Sequence, residues 1–130
     1  MDPIRLKSIR PFRDVPEDAL REIATFADEV SVEEGKHLVN EGDFSYEFMA
    51  IEEGTAEVLR GGQHVAELGP GDFFGEMGLL ERERRNATVV AKTPMRLITL
   101  TGWDLRRMQK SMPEALDRIR RVMDERRAQG

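Results

Sequence analysis

The sequence predicts an α+β fold, mainly β, in which an antiparallel β-roll or jelly roll is flanked by helices at both ends. Three observations predict it. Apolar residues recur at helical spacing over residues 1–28, at a spacing of two over 29–101, and at helical spacing again over 102–130. Glycine turns divide the middle section into short runs. A chain of 130 residues has the size of one domain, so we expect a single domain over 1–130.

The N-terminal section is predicted to be helical because its apolar residues recur three or four positions apart. Pro16 is followed by Glu17 and Asp18. Proline is tolerated in a first helical turn, and carboxylates oppose the positive end of the helix dipole, so a helix is expected to begin here. The apolar positions are Ile9, Phe12, Val15, Leu20, Ile23, Ala24 and Ala27.

The middle section is predicted to consist of strands, since alternation places every second side chain on one face. Short strands at regular spacing with glycine turns are typical of a sandwich, a jelly roll or a small barrel. The apolar positions include Val30, Val32, Leu38, Phe48, Ala50, Val58, Val65, Leu68, Val89 and Leu97, and the turns contain Gly35, Gly42, Gly54, Gly61–Gly62 and Gly69–Asp72.

The C-terminal section returns to helical spacing after Thr101–Gly102, and Pro113 suits a first helical turn. One face carries an apolar stripe, with charged residues on the other faces. Two interpretations stay open for this stripe: packing within the chain alone, or packing together with a homodimer contact. Its members are Met112, Ala115, Leu116, Ile119, Val122 and Met123, and Arg126 continues it.

Composition excludes several functional classes. With 39% hydrophobic and 35% charged residues, the chain is expected to be globular. It has neither a run of about 18 apolar residues nor an apolar N-terminal signal stretch, so we expect no membrane segment and a cytoplasmic location. A net charge of −5 argues against direct nucleic-acid binding. The absence of cysteine excludes disulfides and thiolate metal sites.

The residue pattern also argues against catalysis. Cupins share a small β-roll and are often metal enzymes with a His-x-His motif, but the histidines here, His37 and His64, lie far apart in the chain. No cysteine nucleophile and no Ser-His-Asp order is present. We therefore expect no catalytic residue, no metal and no enzyme activity, and we interpret both histidines as surface residues.

A ligand site is predicted around Glu76 and Arg85. Gly75 and Gly78 expose backbone N–H groups, and N–H groups at the start of a helical turn favour anions. The carboxylate of Glu76 accepts hydrogen bonds from a hydroxyl, and Arg85 can hold a phosphate with two parallel donors, a contact worth ~1.5–3 kcal/mol. A 3′,5′-cyclic nucleotide carries both groups. The competing interpretation, a solvated charged turn, is the one we adopt for the neighbouring Arg82.

This stretch resembles the phosphate-binding cassette of cyclic-nucleotide-binding domains. That family includes the bacterial catabolite activator protein, the regulatory subunits of cyclic-AMP-dependent protein kinase and cyclic-nucleotide-gated channels. The cassette would span residues 73–88, with FGEMGLL followed by RNATV. Flanking stretches are similar as well, and the ordered set covers nearly the whole chain: IRPFRDVPEDALREIA, EGKHLVNEGD, FMAIEEGTAEV, LGPGDFFGE and VVAKTPMRLITL.

The resemblance implies roles for individual residues of the cassette. Glu76 would hold the ribose 2′-hydroxyl with help from the Gly75 backbone, and Arg85 would pair with the exocyclic phosphate oxygens. Backbone N–H groups of Gly78 and Asn86 would add phosphate contacts. Met77 and the small Ala87 complete the set of ligand-contacting residues within the cassette.

The resemblance further implies a site for the base and a C-terminal helical lid. The base would lie against apolar residues of the roll, for which Val58, Ala66, Leu68 and Phe74 are the candidates. The lid would be the Leu116–Arg127 stretch, with Met123 or a neighbouring arginine over the base.

Two positions depart from the family's pattern. Arg84 stands where the family often has proline, which adds a charge that competes with Arg85 for the phosphate. Asn86 stands where kinase-type cyclic-AMP sites usually carry alanine and many cyclic-GMP sites threonine. An amide both donates and accepts hydrogen bonds, so Asn86 does not select between the two purines.

The resemblance implies a cyclic-nucleotide receptor that binds cAMP rather than cGMP, needs no further cofactor and transmits occupancy through its C-terminal helix. Its output would pass to an unidentified effector protein or to an effector domain missing from this chain. The alternative is an interaction domain of the same fold that has lost its ligand. The presence of both Glu76 and Arg85 argues against that alternative.

Overall fold

The structure, a computed structural model, describes residues 1–43, 47–74 and 87–129, with side chains described up to residue 122. Within these ranges two short 3₁₀ helices, Pro3–Ser8 and Arg10–Phe12, precede three α-helices and a set of strands. The α-helices are α1 (Glu17–Phe26), α2 (Gly102–Ser111) and α3 (Pro113–Gln129). The strands are β1 (Asp28–Val32), β2 (His37–Val39), β3 (Glu47–Glu53), β4 (Ala56–Arg60), β5 (Gln63–Leu68), β6 (Phe73–Phe74), β7 (Thr88–Ala91) and β8 (Met95–Thr101).

The strands form two antiparallel four-stranded sheets that face each other. Sheet 1 has the order β1-β8-β3-β6, and sheet 2 has the order β2-β7-β4-β5. Apart from the β4–β5 hairpin, neighbouring strands in each sheet are not consecutive in sequence, as in a jelly roll, so the predicted fold class is confirmed.

The N-terminal section differs in detail from the helical prediction. Its first half forms the two 3₁₀ helices, separated by Ile9 in an extended conformation. Pro11 has no N–H to donate and restricts the turn before it, which disfavours a continuous α-helix through this point. The predicted start after Pro16 is confirmed, since α1 begins at Glu17 with both predicted acids in its first turn.

The central strands of sheet 1, β3 and β8, are buried on both faces, whereas the edge strand β1 is largely exposed. Phe48, Ala50 and Phe73 of its strands face the helices, whereas Ile51 and Phe74 face sheet 2. Consecutive residues of a strand point to opposite faces, so Phe73 and Phe74 belong to different cores.

We call the core between the helices and sheet 1 the helical core, and the core between the two sheets the roll core. The buried residues of the helical core are Leu6, Ile9, Phe12, Val15, Leu20, Ile23, Ala24, Phe48, Ala50, Ile98, Leu100, Leu105, Met108, Met112, Ala115, Leu116 and Ile119. Those of the roll core are Ile51, Ala56, Leu68, Val89, Ala91, Met95 and Leu97, with Val32, Leu38, Val39, Met49, Val58 and Phe74 partly buried against them.

The C-terminal section begins with a capped helix. The Thr101 hydroxyl accepts from the backbone N–H of Asp104, and the Asp104 carboxylate accepts from the backbone N–H of Thr101, which satisfies two donors at the start of α2. Helix α3 begins at Pro113, as predicted. The first part of the predicted apolar stripe, from Met112 to Ile119, is buried in the helical core.

Candidate functional site

The predicted site residues fall into two groups. Gly75, Glu76, Met77, Gly78, Arg85 and Asn86 lie outside the described residues, so their roles stay predictions. Val58, Ala66, Leu68, Phe74 and Ala87 are described. The site is therefore built here from the walls of the roll and from the two ends of the predicted cassette, where β6 leads in and β7 leads out.

The turn before β6 is held firmly. Gly71 donates its backbone N–H to the carbonyl of Ile51 over 2.8 Å, and Ile51 donates to the carbonyl of Asp72 over 2.8 Å. The carboxylate of Asp72 accepts from the backbone N–H of Gly69 at 2.8 Å. The chain therefore enters the cassette from a fixed position.

The same turn is also docked on the N-terminal section. The backbone N–H of Arg10 donates to the carbonyl of Gly71 over 3.2 Å. Gly71 has a φ of +91°, and a Cβ at this position would lie 3.0 Å from the carbonyl oxygen of Ser8. Glycine is needed here for both its conformation and its small size.

The exit from the cassette is held by a cross-strand contact. Ala87 is buried, and Thr88 follows it at the start of β7. The Thr88 hydroxyl accepts from the backbone N–H of Glu41 over 3.0 Å, and the Glu41 carboxylate accepts from the backbone N–H of Gly61 over 3.0 Å. Glu41 thus connects the exit strand with the β4–β5 hairpin.

One wall of the roll carries three of the predicted base-contacting residues. Val58 on β4 lies opposite Ala66 on β5 and opposite Val89 on β7, and Leu68 lies opposite Ala56. These positions therefore share the face of sheet 2 that points to the roll core. Leu68 is buried, Val58 is half-buried and Ala66 is exposed. The wall is consequently covered at one end and open at the other.

The facing wall contributes Phe74. It pairs with Met49 on β3 and packs against the roll core from sheet 1. Its side chain is half-buried. The structure thus brings Phe74, Val58 and Leu68 into one apolar cluster, and it places Ala66 beside them at the open end. We call this group of four residues the apolar cleft, since apolar side chains on two facing sheets with one exposed end suit a flat ring such as a nucleobase.

An ion-pair network that the sequence analysis missed joins the N-terminal section to sheet 1. The Arg5 guanidinium donates to Glu52 through Nε at 2.8 Å and also contacts Glu29. Arg96 lies 3.9 Å from the Glu52 carboxylate. Its members come from the first 3₁₀ helix and from three strands that are far apart in sequence, so no local pattern could have indicated the network.

The network shifts the ionisation of its members. The hydrogen bond from Arg5 lowers the pKa of Glu52 below its ordinary value of 4.5, and partial burial opposes this shift. The same hydrogen bond raises the pKa of Arg5. Glu52 is therefore ionised at neutral pH, and the network holds the N-terminal section against the sheet rather than contacting the apolar cleft.

Both histidines lie at the surface. His37 Nδ1 lies 3.0 Å from Asn40 Oδ1, and His64 Nδ1 lies 3.6 Å from the carboxylate of Glu57. Among the described residues no three His, Cys, Asp or Glu side chains are grouped closely enough to hold a metal ion.

The predicted lid stretch, Leu116–Arg127, is held to the rest of the domain at its first residues. Leu116 and Ile119 are almost completely buried in the helical core. Arg118 donates to the backbone carbonyl of Asp14 over 2.8 Å. Met123 lies outside the residues whose side chains are described. The start of the stretch is thus fixed to the N-terminal section.

Residues 29–111 match the family described as the cyclic nucleotide-binding domain. This match covers more than half of the chain, so the protein belongs to that family, and the resemblance found in the sequence is confirmed. The family is a regulatory ligand-binding domain rather than a catalytic one.

Individual relatives agree with this assignment. The chain is 36% identical over 101 residues to the cAMP-dependent protein kinase regulatory subunit of Schizosaccharomyces pombe, covering 77% of this chain and 24% of that protein. It is 34% identical over 116 residues to a cyclic nucleotide-gated potassium channel of Rhizobium etli, covering 89% of this chain and 32% of that protein. The chain thus spans about a quarter to a third of the length of these curated relatives.

A solved structure shows the same fold along nearly the whole chain. The N-terminal domain of a transcriptional regulator from Streptomyces coelicolor superposes with a TM-score of 0.81 and 25% sequence identity. The superposition covers 96% of this chain and 91% of that one.

None of the helices in the described ranges combines the length and the apolar character needed to cross a bilayer.

Proposed function

We propose that this chain is a cyclic-nucleotide receptor module that binds cAMP in preference to cGMP and transmits occupancy through α3. The observation that carries the proposal is the partly exposed apolar cluster of Val58, Leu68 and Phe74 between the two sheets, in a chain whose residues 29–111 match the cyclic nucleotide-binding domain. The exposed Ala66 on an inward-pointing face supports the proposal because an unfilled position on a core face leaves room for a ligand.

Two polar contacts would hold the nucleotide. The carboxylate of Glu76 accepts from the ribose 2′-hydroxyl, and the guanidinium of Arg85 donates to the phosphate through two N–H groups. Backbone N–H groups of Gly75, Gly78 and Asn86 complete the polar shell. The fixed turn before β6 and the tethered start of β7 support this arrangement because they hold both ends of the cassette.

The base would lie in the apolar cleft. Val58 and Leu68 contact it from sheet 2, and Phe74 contacts it from sheet 1. Ala66 at the open end leaves room for the ring, and burial of the purine there contributes about 25 cal/mol per Å² of apolar surface removed from water.

Isothermal titration with cAMP and cGMP tests the proposal. We expect a dissociation constant in roughly the micromolar range for cAMP and weaker binding of cGMP. Arg85→Ala should weaken cAMP binding roughly 10- to 150-fold, since it removes a charge-assisted contact. Glu76→Ala should weaken it about 5- to 30-fold.

Arg82→Ala is the matched control, because it removes the same charge from the same segment at a position that we interpret as solvated. Its cAMP affinity should equal that of the wild type. Arg84→Ala tests the departure at the position where the family often has proline, and an effect larger than that of Arg85→Ala would reassign the phosphate contact. A folded wild-type protein that binds neither nucleotide would instead support the ligand-free interaction domain.

The preference for cAMP rests on the relatives rather than on a residue of the site. The kinase regulatory subunit of Schizosaccharomyces pombe, 36% identical to this chain over 101 residues, is named for cAMP, whereas a kinase of Eimeria tenella, 34% identical over 88 residues, is named for cGMP. The longer and more similar match favours cAMP. Asn86 is compatible with either purine because its amide both donates and accepts. Equal affinities in the titration would overturn the preference and leave the receptor function intact.

Occupancy would be transmitted by the second half of α3. Leu116, Ile119 and Arg118 hold the first half to the rest of the domain. The nucleotide can bias the remainder only if it contacts that part differently in two helix positions. The hinge is therefore expected just after Ile119.

The absence of cysteine makes this movement measurable by site-specific labelling. Spin labels on Gln63→Cys and Gln129→Cys report the distance between the β4–β5 hairpin and the end of α3. We expect cAMP to shorten and narrow this distance distribution. A pair on Gln63→Cys and Gln109→Cys serves as the control, since α2 is fixed by the core residues Leu105 and Met108. Saturating cAMP that leaves the first distribution unchanged would contradict transmission through α3.

The signal from the nucleotide would pass to an effector protein or to a further domain. The predicted homodimer contact cannot use the whole apolar stripe, because the part from Met112 to Ile119 is buried within the chain. A contact between two copies through this stripe would therefore begin at Val122.

A further inference from the structure

The first turn of α2 exposes a large aromatic side chain. Trp103 is 77% exposed, and it is the one tryptophan of the sequence. The helix buries Leu105 and Met108 on its other side, so Trp103 contributes little to the helical core. Isolated tryptophan is costly to leave in water and is enriched where proteins bind each other.

Three cations lie on the same face of α2. Arg106, Arg107 and Lys110 follow Trp103 at the positions three, four and seven residues later, which a helix brings to one side. All three are exposed. We call this group of four residues the α2 face. Within the described ranges, none of its three cations forms an ion pair with a carboxylate.

The α2 face is partly preorganised. The Arg106 guanidinium lies 5.1 Å from the centre of the Trp103 ring, which is cation–π distance. Arg107 lies 5.3 Å from the centre of the Phe26 ring. These contacts reduce the side-chain entropy that binding would otherwise cost.

A groove runs beside these side chains. It has a volume of about 760 Å³ and is lined by Trp103, Arg106, Arg107, Gln109, Lys110 and Ser111. Three of the residues that line this groove are cations and none is a carboxylate, so its lining is positively charged with an aromatic edge. Asp104 accepts from the backbone N–H of Thr101, and Glu22 accepts from the hydroxyl of Ser111. Glu47 lines a separate groove on the other side of Trp103 and Arg106.

We propose that the α2 face is a docking site for an acidic peptide segment of a partner protein, with an apolar anchor that packs on Trp103 and carboxylates that pair with Arg106 and Lys110. Charge complementarity favours this occupant, since an otherwise acidic chain of net charge −5 has here a local group of cations next to an apolar side chain. A short peptide interacts appreciably only with charges that lie within a Debye length, about 8 Å, because salt screens the others. An anionic bilayer or a nucleic acid extends further and meets the repulsion of the whole acidic domain. The site does not depend on nucleotide binding.

The fluorescence of Trp103 reports whether a peptide binds to the α2 face. A short synthetic peptide with Leu and Phe between several glutamates is titrated into the intact chain while tryptophan emission is recorded. We expect saturable binding with a shift of the emission to shorter wavelength, because the peptide removes the ring from water. A peptide with lysine in place of every glutamate and one with serine in place of Leu and Phe should both bind at least about tenfold more weakly.

Variants are compared by fluorescence polarisation of the labelled acidic peptide. Trp103→Ala should weaken binding roughly 30-fold. Arg106→Glu/Lys110→Glu should weaken it more than about tenfold. The control Arg13→Glu/Lys36→Glu changes net charge equally at exposed positions elsewhere and should keep the wild-type affinity. Unfolding curves verify that all variants are folded.

Three results would overturn the proposal: no emission change at millimolar peptide, equal loss of binding in the control double variant, or binding only to phosphatidylserine vesicles added in a parallel titration. The last result would assign the α2 face to a membrane surface.

Discussion

The two cores of this domain differ in how completely they are closed. The helical core contains large side chains such as Phe12, Phe48 and Leu20 that are wholly excluded from water. The roll core is smaller and is sealed at one end by Met95 and Leu97, but its other end is bordered by half-buried Val58 and exposed Ala66.

The difference indicates that stability and ligand binding are divided between the two cores. Buried area and close packing provide stability, so the helical core is expected to carry most of it. A core that is completely filled cannot admit a ligand, and the open end of the roll core is where the proposed ligand lies. Four predictions test this division, in order of decreasing expected effect on stability.

Phe48→Ala is expected to lower the free energy of unfolding by about 3–5 kcal/mol, because it leaves a cavity in the helical core. Phe48 is wholly buried, and its ring packs edge-on against Phe12 at 5.8 Å and stacked on Phe73 at 5.7 Å between ring centres. Urea unfolding measures the loss.

The matched variant in the roll core is Phe74→Ala, which removes the same side chain from a half-buried position. We expect it to cost roughly 1–2 kcal/mol and to weaken nucleotide binding. Equal destabilisation by the two variants would show that the roll core is as important for stability as the helical core.

Gly54→Ala is expected to destabilise the sealed end of the roll by about 2–3 kcal/mol. Gly54 has a φ of +96°, and a Cβ there would lie 2.5 Å from the carbonyl oxygen of Pro94 and 2.7 Å from the side chain of Met95. Thermal unfolding measures the change.

The control is Gly62→Ala in the β4–β5 turn. Gly62 also has a positive φ, of 80°, but nothing lies within 4 Å of the added Cβ. This variant carries only the conformational cost, about 1 kcal/mol. The difference between the two variants isolates the tight packing at the sealed end, and no difference would mean that this end tolerates expansion.

Glu52→Gln is expected to cost about 1–2 kcal/mol at pH 7, since it weakens the charge-assisted bonds to Arg5, which is itself partly exposed. The pKa of Glu52 is lowered in the folded protein, so its contribution is present above its ordinary value of 4.5 and is lost as the pH falls through the lowered value. Unfolding curves of wild type and variant should therefore differ at neutral pH and converge in acid.

Glu67→Gln is the surface control for this pH dependence. Its pKa is also lowered, by a hydrogen bond from Lys92, but the pair is exposed. We expect a smaller change that disappears in high salt, because salt screens exposed pairs. A pH-independent difference between wild type and Glu52→Gln would contradict the role of the Arg5 contact.

Ala66→Leu is expected to change stability by less than about 0.5 kcal/mol, because Ala66 is exposed in the unliganded domain. The larger side chain would occupy space in the cleft and weaken cAMP binding. Titration calorimetry and unfolding measure the two effects on one sample. A variant with unchanged affinity would remove Ala66 from the proposed base site.

Much of the fold could be predicted from local patterns. Alternation at Phe48 and Ala50, glycine turns such as Gly54, and the prolines before α1 and at the start of α3 each act within a few residues. Their effect is therefore visible in the sequence itself. The boundary at Pro11 was missed because helical spacing of apolar residues does not distinguish an α-helix from short 3₁₀ turns.

The candidate site was predicted in a different way. Glu76, Arg85 and the glycines form an ordered motif whose spacing resembles one family, and the family match over residues 29–111 confirms the family though not the individual roles. The docking site at Trp103 gave no such signal, because exposure of one tryptophan depends on which side of α2 the core covers.

The order of the elements, their approximate ends and the family follow from patterns among neighbours along the chain, so they could be predicted from the sequence. Three features required the folded structure: Phe73 and Phe74 enter different cores, Arg5 contacts Glu52, and Ala66 is exposed to water. These outcomes depend on contacts between residues that are far apart in sequence, or on the layer that each face of a sheet meets, and folding alone brings those groups together.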